Sequence, residues 1–144
     1  MSLAMSKEQR EAFLAGLHVA VISVCEDGRG PLTVPIWFGY EPGGVVRFVT
    51  GSDSRKAALI RKAGRLGLCV QTETAPYQYV SIEGPVTIGE PDFERDFRGI
   101  AHRYLGAQLG DKYLQMTTDE RTNSILVSVR PERWLTVDYA KMGA

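Results

Sequence analysis

The sequence predicts a mainly β protein, with six or seven short, mostly antiparallel strands closing into a small β-barrel and three or four helices at its periphery. Three observations predict it. Short segments alternate apolar and polar residues, tight turns rich in Gly and Pro separate them, and the few stretches with helical spacing follow capping residues. A sheet of this kind must close on itself or be covered to manage its edges, and a barrel is the simplest solution.

Ser6 and Gln9 have the spacing of a capping box, which predicts a first helix running to about Leu17 with Ala12, Phe13, Gly16 and Leu17 as its apolar contacts. His18 to Cys25 is rich in Val and Ile and ends at the turn Asp27-Gly28-Arg29-Gly30-Pro31, so it reads as a strand. Leu32, Val34, Ile36, Phe38 and Tyr40 alternate with Thr33, Pro35, Trp37 and Gly39 as a second strand, and Val45 to Thr50 is expected to pair back on it as a hairpin through Glu41-Pro42-Gly43-Gly44. Pro35 donates no amide, which puts this strand at an edge or breaks its ladder. A turn with three possible caps, Ser52, Asp53 and Ser54, opens a helix from Arg55 to Arg65. Leu66 to Thr72 and Gln78 to Ile88 are further strands, the second with Val80, Ile82, Val86 and Ile88 on one face and Tyr79, Ser81 and Glu83 on the other. Phe93, Phe97, Ile100 and Tyr104 mark an amphipathic helix opened by Pro91-Asp92, and the charges from Asp92 to Arg98 read as its solvated face. Ser124 to Arg130 and Trp134 to Tyr139 supply the last strands.

The chain has 144 residues, 44% of them apolar, which fits one compact domain over 1–144. Met1 to Met5 is too short and polar for a signal peptide and reads as a leader before a start at Met5. No apolar run approaches the ~20 residues that span a bilayer. Cys25 and Cys69 form no CxxC and suggest neither a disulfide scaffold nor a zinc site, so the expectation is a reduced, cytoplasmic protein. The 17 basic and 17 acidic residues balance, which gives no electrostatic case for nucleic acid or an anionic membrane as a main partner. The balance is uneven, however. Arg55, Lys56, Arg61, Lys62 and Arg65 fall between Ser54 and Arg65 with no acidic residue among them.

That segment begins where chemistry is expected. In Thr50-Gly51-Ser52-Asp53-Ser54-Arg55-Lys56 a strand end runs through a polar turn into a helix N-terminus carrying two cations. Free amides and the helix dipole favour an anion there by about 0.3–1 kcal/mol. Charge-assisted hydrogen bonds from two cations add roughly 1.5–3 kcal/mol each. A phosphate cradle is one reading; a solvated helix face is the other.

From Phe13 to Tyr139 the chain resembles the pyridoxamine 5'-phosphate oxidase-like family of FMN-binding split β-barrels. The resemblance is carried by the hairpin segments Leu32-Thr33-Val34-Pro35-Ile36-Trp37-Phe38 and Phe48-Val49-Thr50, by Ser54-Arg55-Lys56-Ala57, and by Tyr79-Val80-Ser81-Ile82-Glu83-Gly84-Pro85-Val86. It implies FMN as cofactor, with Thr50, Arg55 and Lys56 at the flavin phosphate and Ser54 also at the cofactor. It also implies Val34, Pro35, Ile36 and Trp37 along the flavin ring, Tyr79 near the site, and a homodimer with the cofactor at its interface. The family is similar in fold to reductases using the deazaflavin F420, which is the alternative cofactor; a non-catalytic flavin- or haem-binding protein is a further reading. The implied activity is hydride transfer to or from a small-molecule substrate, which needs few protein acids or bases. The oxidase's Arg-x-x-x-x-Lys is missing, since Leu32 to Phe38 carries no charge, and Gln78-Tyr79 stands where the oxidase has Arg-Gln. The pyridoxamine phosphate reaction itself is therefore not expected.

The other candidates have structural readings. His18 and His102 are expected to be neither ligands nor catalysts, and Cys25 and Cys69 to be small core residues. Trp37 and Trp134 are expected to pack in the core or an interface, with Trp37 having a rival place beside the ring. Tyr77 and Tyr79 could stack on a substrate or pair across strands.

Overall fold

The computed structural model describes residues 2–143. Its elements are α1 (Lys7–Ala15), β1 (Ala20–Val24), β2 (Leu32–Ile36), β3 (Val46–Gly51), α2 (Arg55–Ala63), β4 (Arg65–Gln71), β5 (Gln78–Gly89), a π-helical turn (Phe93–Arg98), α3 (Gly99–Met116), β6 (Ser124–Val129) and β7 (Arg133–Asp138). The seven strands form one curled antiparallel sheet in the order β2-β1-β4-β5-β6-β3, with β7 also pairing to β5. The predicted mainly β architecture with peripheral helices is the one observed.

Strand alternation sets the core. Ala20, Ile22 and Val24 of β1, Leu66, Leu68 and Val70 of β4, and Val80 and Ile82 of β5 point inward, joined by Phe38, Phe48, Ile60, Val127 and Val129. The capping box at Ser6 and Gln9 is formed, with Gln9 N–H donating to Ser6 Oγ at 3.1 Å and Ser6 N–H to Gln9 Oε1 at 2.9 Å. The face α1 buries differs from the expected one: Leu14 is fully buried and Leu17 is exposed, because the helix ends at Ala15. Ahead of it, Leu3 to Met5 lie along β7, where Asp138 N–H donates to the Leu3 carbonyl and Met5 N–H to Thr136 Oγ1. Ile88 and Cys25 also depart from expectation; both are exposed, Ile88 near the end of β5 and Cys25 just past β1.

The predicted hairpin between the second and third strands is not built. Gly39 and Arg47 exchange hydrogen bonds of 2.8 and 2.9 Å, and beyond that single bridge the strands part. β2 lies on β1 and β3 on β6. The cause is local. Pro35 has no amide for a ladder, β2 stops at Ile36, and the Phe38 amide donates to the Tyr104 hydroxyl instead of to a strand. Pro35 thus sits on an edge strand, as its chemistry requires, and the barrel is split between β2 and β3.

β5 bends to serve two partners. Gln78 to Glu83 pair with β7, and Val86 to Gly89 pair with β6. Gly84 lies at the changeover, where a Cβ would stand 1.8 Å from the Arg130 carbonyl oxygen.

Candidate functional site

The gap between β2 and β3 is a cleft of about 310 Å³. Pro35, Ile36 and Trp37 form one wall, and Val49, Thr50, Gly51 and Lys56 form another. The π-helical turn and α3 close the third side with Phe97, Ile100, Tyr113 and Leu114, and Arg121 and Ser124 stand at the start of β6.

The covering arm is fixed by groups that sequence periodicity did not expose. In the π-helical turn the i→i+5 pattern rotates side chains away from the faces an α-helix would give them. Asp96 is thereby buried, not solvated as the spacing suggested. Its carboxylate accepts from Arg95 Nε at 2.8 Å, Arg47 Nη1 at 3.2 Å and the Asp92 amide at 2.8 Å. Burial would raise its pKa, but the hydrogen bonds from Arg95 and the Asp92 amide and the charges of Arg95 and Arg47 outweigh burial and hold it below the usual range. Further along, Tyr104 stacks on Trp37 with ring centroids 5.0 Å apart and planes 5° from parallel. Its hydroxyl donates to the His18 carbonyl at 2.6 Å and accepts from the Phe38 amide at 3.2 Å. Gly106, at φ 81°, then reverses the arm, and Tyr113 comes within 5.5 Å of the Trp37 ring on the cleft side.

At the cradle, Ser54 is the cap: its Oγ accepts from the Ala57 amide at 3.0 Å and donates to the Gly51 carbonyl at 2.8 Å. The cations of the basic segment are mostly engaged. Arg55 is ion-paired with Glu26, Lys62 with Asp27 at 2.9 Å and Arg65 with Glu132 at 2.9 Å. Arg61 donates to the Ser52 carbonyl and hydroxyl at 2.8 and 2.9 Å. Lys56 is the exception. It is half-buried on the cleft, burial pulls its pKa below the ordinary lysine value, and among the described residues it forms no ion pair.

Of the residues singled out from sequence, the fold brings Pro35, Ile36, Trp37, Thr50 and Lys56 to one cleft. Val34 packs against the core from β2, and Ser54 caps α2 beside the cleft. Arg55 turns outward to the β1–β2 turn. Tyr79 lies on β5 between Gln71 and Val137, on the outer face of the sheet. Asp96, Phe97, Tyr113 and Arg121 were missed. Nothing local marks them, since their place depends on the π-helical turn, the reversal at Gly106 and the β3–β6 register. Among the described residues no cluster of His, Cys, Asp or Glu is placed to hold a metal ion, and no helix is long and apolar enough to cross a membrane.

A curled antiparallel sheet split between two strands, with a cation and aromatic rings facing the gap, defines a split-barrel protein with a small-ligand cleft. The family model for pyridoxamine 5'-phosphate oxidase matches residues 6–138, and the chain belongs to that family. Similar solved structures include the conserved hypothetical protein Rv2991 from Mycobacterium tuberculosis, at 19% identity and TM-score 0.81 over 99% of this chain and 90% of that one. An F420 reductase aligns at 19% identity and TM-score 0.63, over 87% of this chain and 94% of the other. A FAD-binding protein from Mesorhizobium loti aligns at 16% identity and TM-score 0.65, over 92% and 93%. These likenesses establish the fold. No curated protein matches the chain.

Proposed function

We propose that this protein is a flavin-dependent oxidoreductase that binds FMN in the split between β2 and β3 and transfers hydride to or from a small substrate. The observation that carries the reading is Lys56, a half-buried cation with no ion-pair partner among the described residues, on an aromatic-lined cleft of suitable size in a chain of this family. Thr50, Gly51 and Lys56 would hold the phosphate, with the capped N-terminus of α2 behind them. Arg55 would join them only by exchanging Glu26 for the phosphate. The edge of β2 at Pro35 to Trp37 has backbone unclaimed by β3, as contact with the polar rim of a flavin requires. When bound, the flavin accepts and returns hydride, and the chain's part is to orient it and exclude water.

F420 is the second reading, favoured by the similarity to an F420 reductase. Its long anionic tail calls for further cations, and Arg61, Lys62 and Arg65 are already engaged within the chain. That favours FMN.

The homodimer belongs to the same reading. Val21, Cys69, Ser81 and Leu135 stand opposite one another in a row across the outer face of β1, β4, β5 and β7, and Leu135 is 62% exposed. Pro35 opposes Val21 at the end of this row and also lines the cleft, so a second copy on this face would stand at the cleft rim. Tyr79 lies on that face and would belong to the interface.

The test is titration of the purified chain with FMN and, separately, with F420, followed by visible absorbance and flavin fluorescence, with the mass in solution measured alongside. Saturable FMN binding by a dimer is expected. If neither cofactor saturates, the oxidoreductase reading fails.

A further inference from the structure

A second unpaired cation lines the cleft. Arg121 ends the short 3-10 turn Asp119–Arg121 that leads into β6. In the β3–β6 register Gly51 faces Ser124, and the Ser52 amide donates to the Asn123 carbonyl at 2.7 Å. The turn carrying Arg121 is thereby delivered to the Thr50–Gly51 end of the cleft, which Lys56 also lines.

Arg121 is held in place without being neutralised. Its Nη1 donates to the Leu114 carbonyl at 2.6 Å and to Thr117 Oγ1 at 3.3 Å, and Nη2 donates to Thr118 Oγ1 at 3.4 Å. The rings of Phe93 and Phe97 lie 5.6 and 5.8 Å from its Cζ. Among the described residues its Nε donates to nothing and no carboxylate pairs with it, so one edge of the fork stays available. The carboxylates of the lining do not answer this charge: Asp96 is spent on Arg47 and Arg95, and Glu120 is exposed and forms no ion pair. Two cations, Arg121 held by the arm and Lys56 half-buried, thus line one cleft without an ion-pair partner among the described residues, while Arg55, the cation beside Lys56 in sequence, is turned away to Glu26.

We propose that Arg121 and Lys56 form a two-cation clamp on the phosphate of the ligand in the cleft, and that Arg55 secures the β1–β2 turn. The identity of the ligand rests on the flavin reading above; the anion clamp does not.

The experiment compares FMN with riboflavin, which lacks the phosphate, in the full chain and in Arg121→Gln, Lys56→Gln and Arg55→Gln. Flavin fluorescence gives both affinities, and their ratio isolates the phosphate. The ratio is expected to fall by about tenfold or more in Arg121→Gln and Lys56→Gln, and by less than about threefold in Arg55→Gln. Collapse in Arg55→Gln with a wild-type ratio in Arg121→Gln overturns the proposal. Should Arg121→Gln fail to fold, Arg121→Lys keeps the charge without the planar fork and is expected to lower the ratio about threefold; an unchanged ratio again overturns it. If the wild-type chain binds neither flavin, the flavin reading fails, and the clamp is then tested by calorimetry with inorganic phosphate. Saturable binding that Arg121→Gln and Lys56→Gln both abolish supports the clamp, and no binding by the wild type rejects it.

Discussion

The Asp96 carboxylate, fully buried, accepts a hydrogen bond from Arg47 Nη1 at 3.2 Å and so ties the arm that covers the cleft to strand β3. Arg47 itself forms the bridge that joins the Gly39 turn to β3, so the Arg47–Asp96 pair fixes the arm where the barrel begins to split.

Asp96→Ala leaves the Arg47 guanidinium, itself largely buried, without its fully buried partner and is expected to cost about 3–5 kcal/mol in urea unfolding. A loss below about 1 kcal/mol would mean that the pair does not anchor the arm. The carboxylate also makes a pH statement. Its pKa is held down in the folded chain, so its contribution is present above the unfolded value of about 3.9 and is lost as pH falls through the lower folded value. Asp96→Asn should flatten that acid limb.

His18 acts in a different window. Its ring stacks on Phe13 at 4.5 Å and Nε2 lies 2.9 Å from the Phe13 carbonyl, to which it donates. Burial, the largest influence, lowers its pKa below the ordinary 6.5, against the hydrogen bond to Phe13. Its contribution is therefore complete above pH 6.5 and is lost as pH falls through the folded value. Thermal melts of His18→Gln should lose the slope just below that pH, and an unchanged slope would exclude His18 as its source.

Gly84→Ala is expected to cost roughly 3 kcal/mol or more, because the new methyl meets backbone at the Arg130 carbonyl and cannot be relieved by a rotamer change. The measurement is chemical unfolding of the soluble fraction. Stability within about 0.5 kcal/mol of wild type would show that β5 can shift at its changeover.

Lys56 links the cleft to pH. It must be charged to hold an anion, and burial has moved its pKa below the ordinary lysine value. The preference for FMN over riboflavin should therefore decline with rising pH, beginning below the ~10.4 of a free lysine. In Lys56→Gln the preference should be small and independent of pH, and a retained pH dependence would assign it to another group.

The amino-acid sequence by itself determined the elements of this fold. Alternation placed the strands, the Ser6–Gln9 box and the Ser54 cap opened their helices, and Pro35 forced β2 to an edge. It also pointed, through the family resemblance, to Pro35, Ile36, Trp37, Thr50 and Lys56, which the fold brings to one cleft. Contacts made only in the tertiary structure decided the rest. The β2–β3 split follows from the Phe38 amide finding Tyr104, 66 residues on, and the buried charge of Asp96 follows from a π-helical turn that α-helical periodicity does not describe. The basic segment that stood out in a neutral chain proved largely self-paired, with Glu26, Asp27 and Glu132 folded against it. Arg121 reached the cleft through the pairing of Gly51 with Ser124. Local spacing specifies hydrogen bonds within a few residues; which charges are left without a partner depends on contacts made across the whole chain.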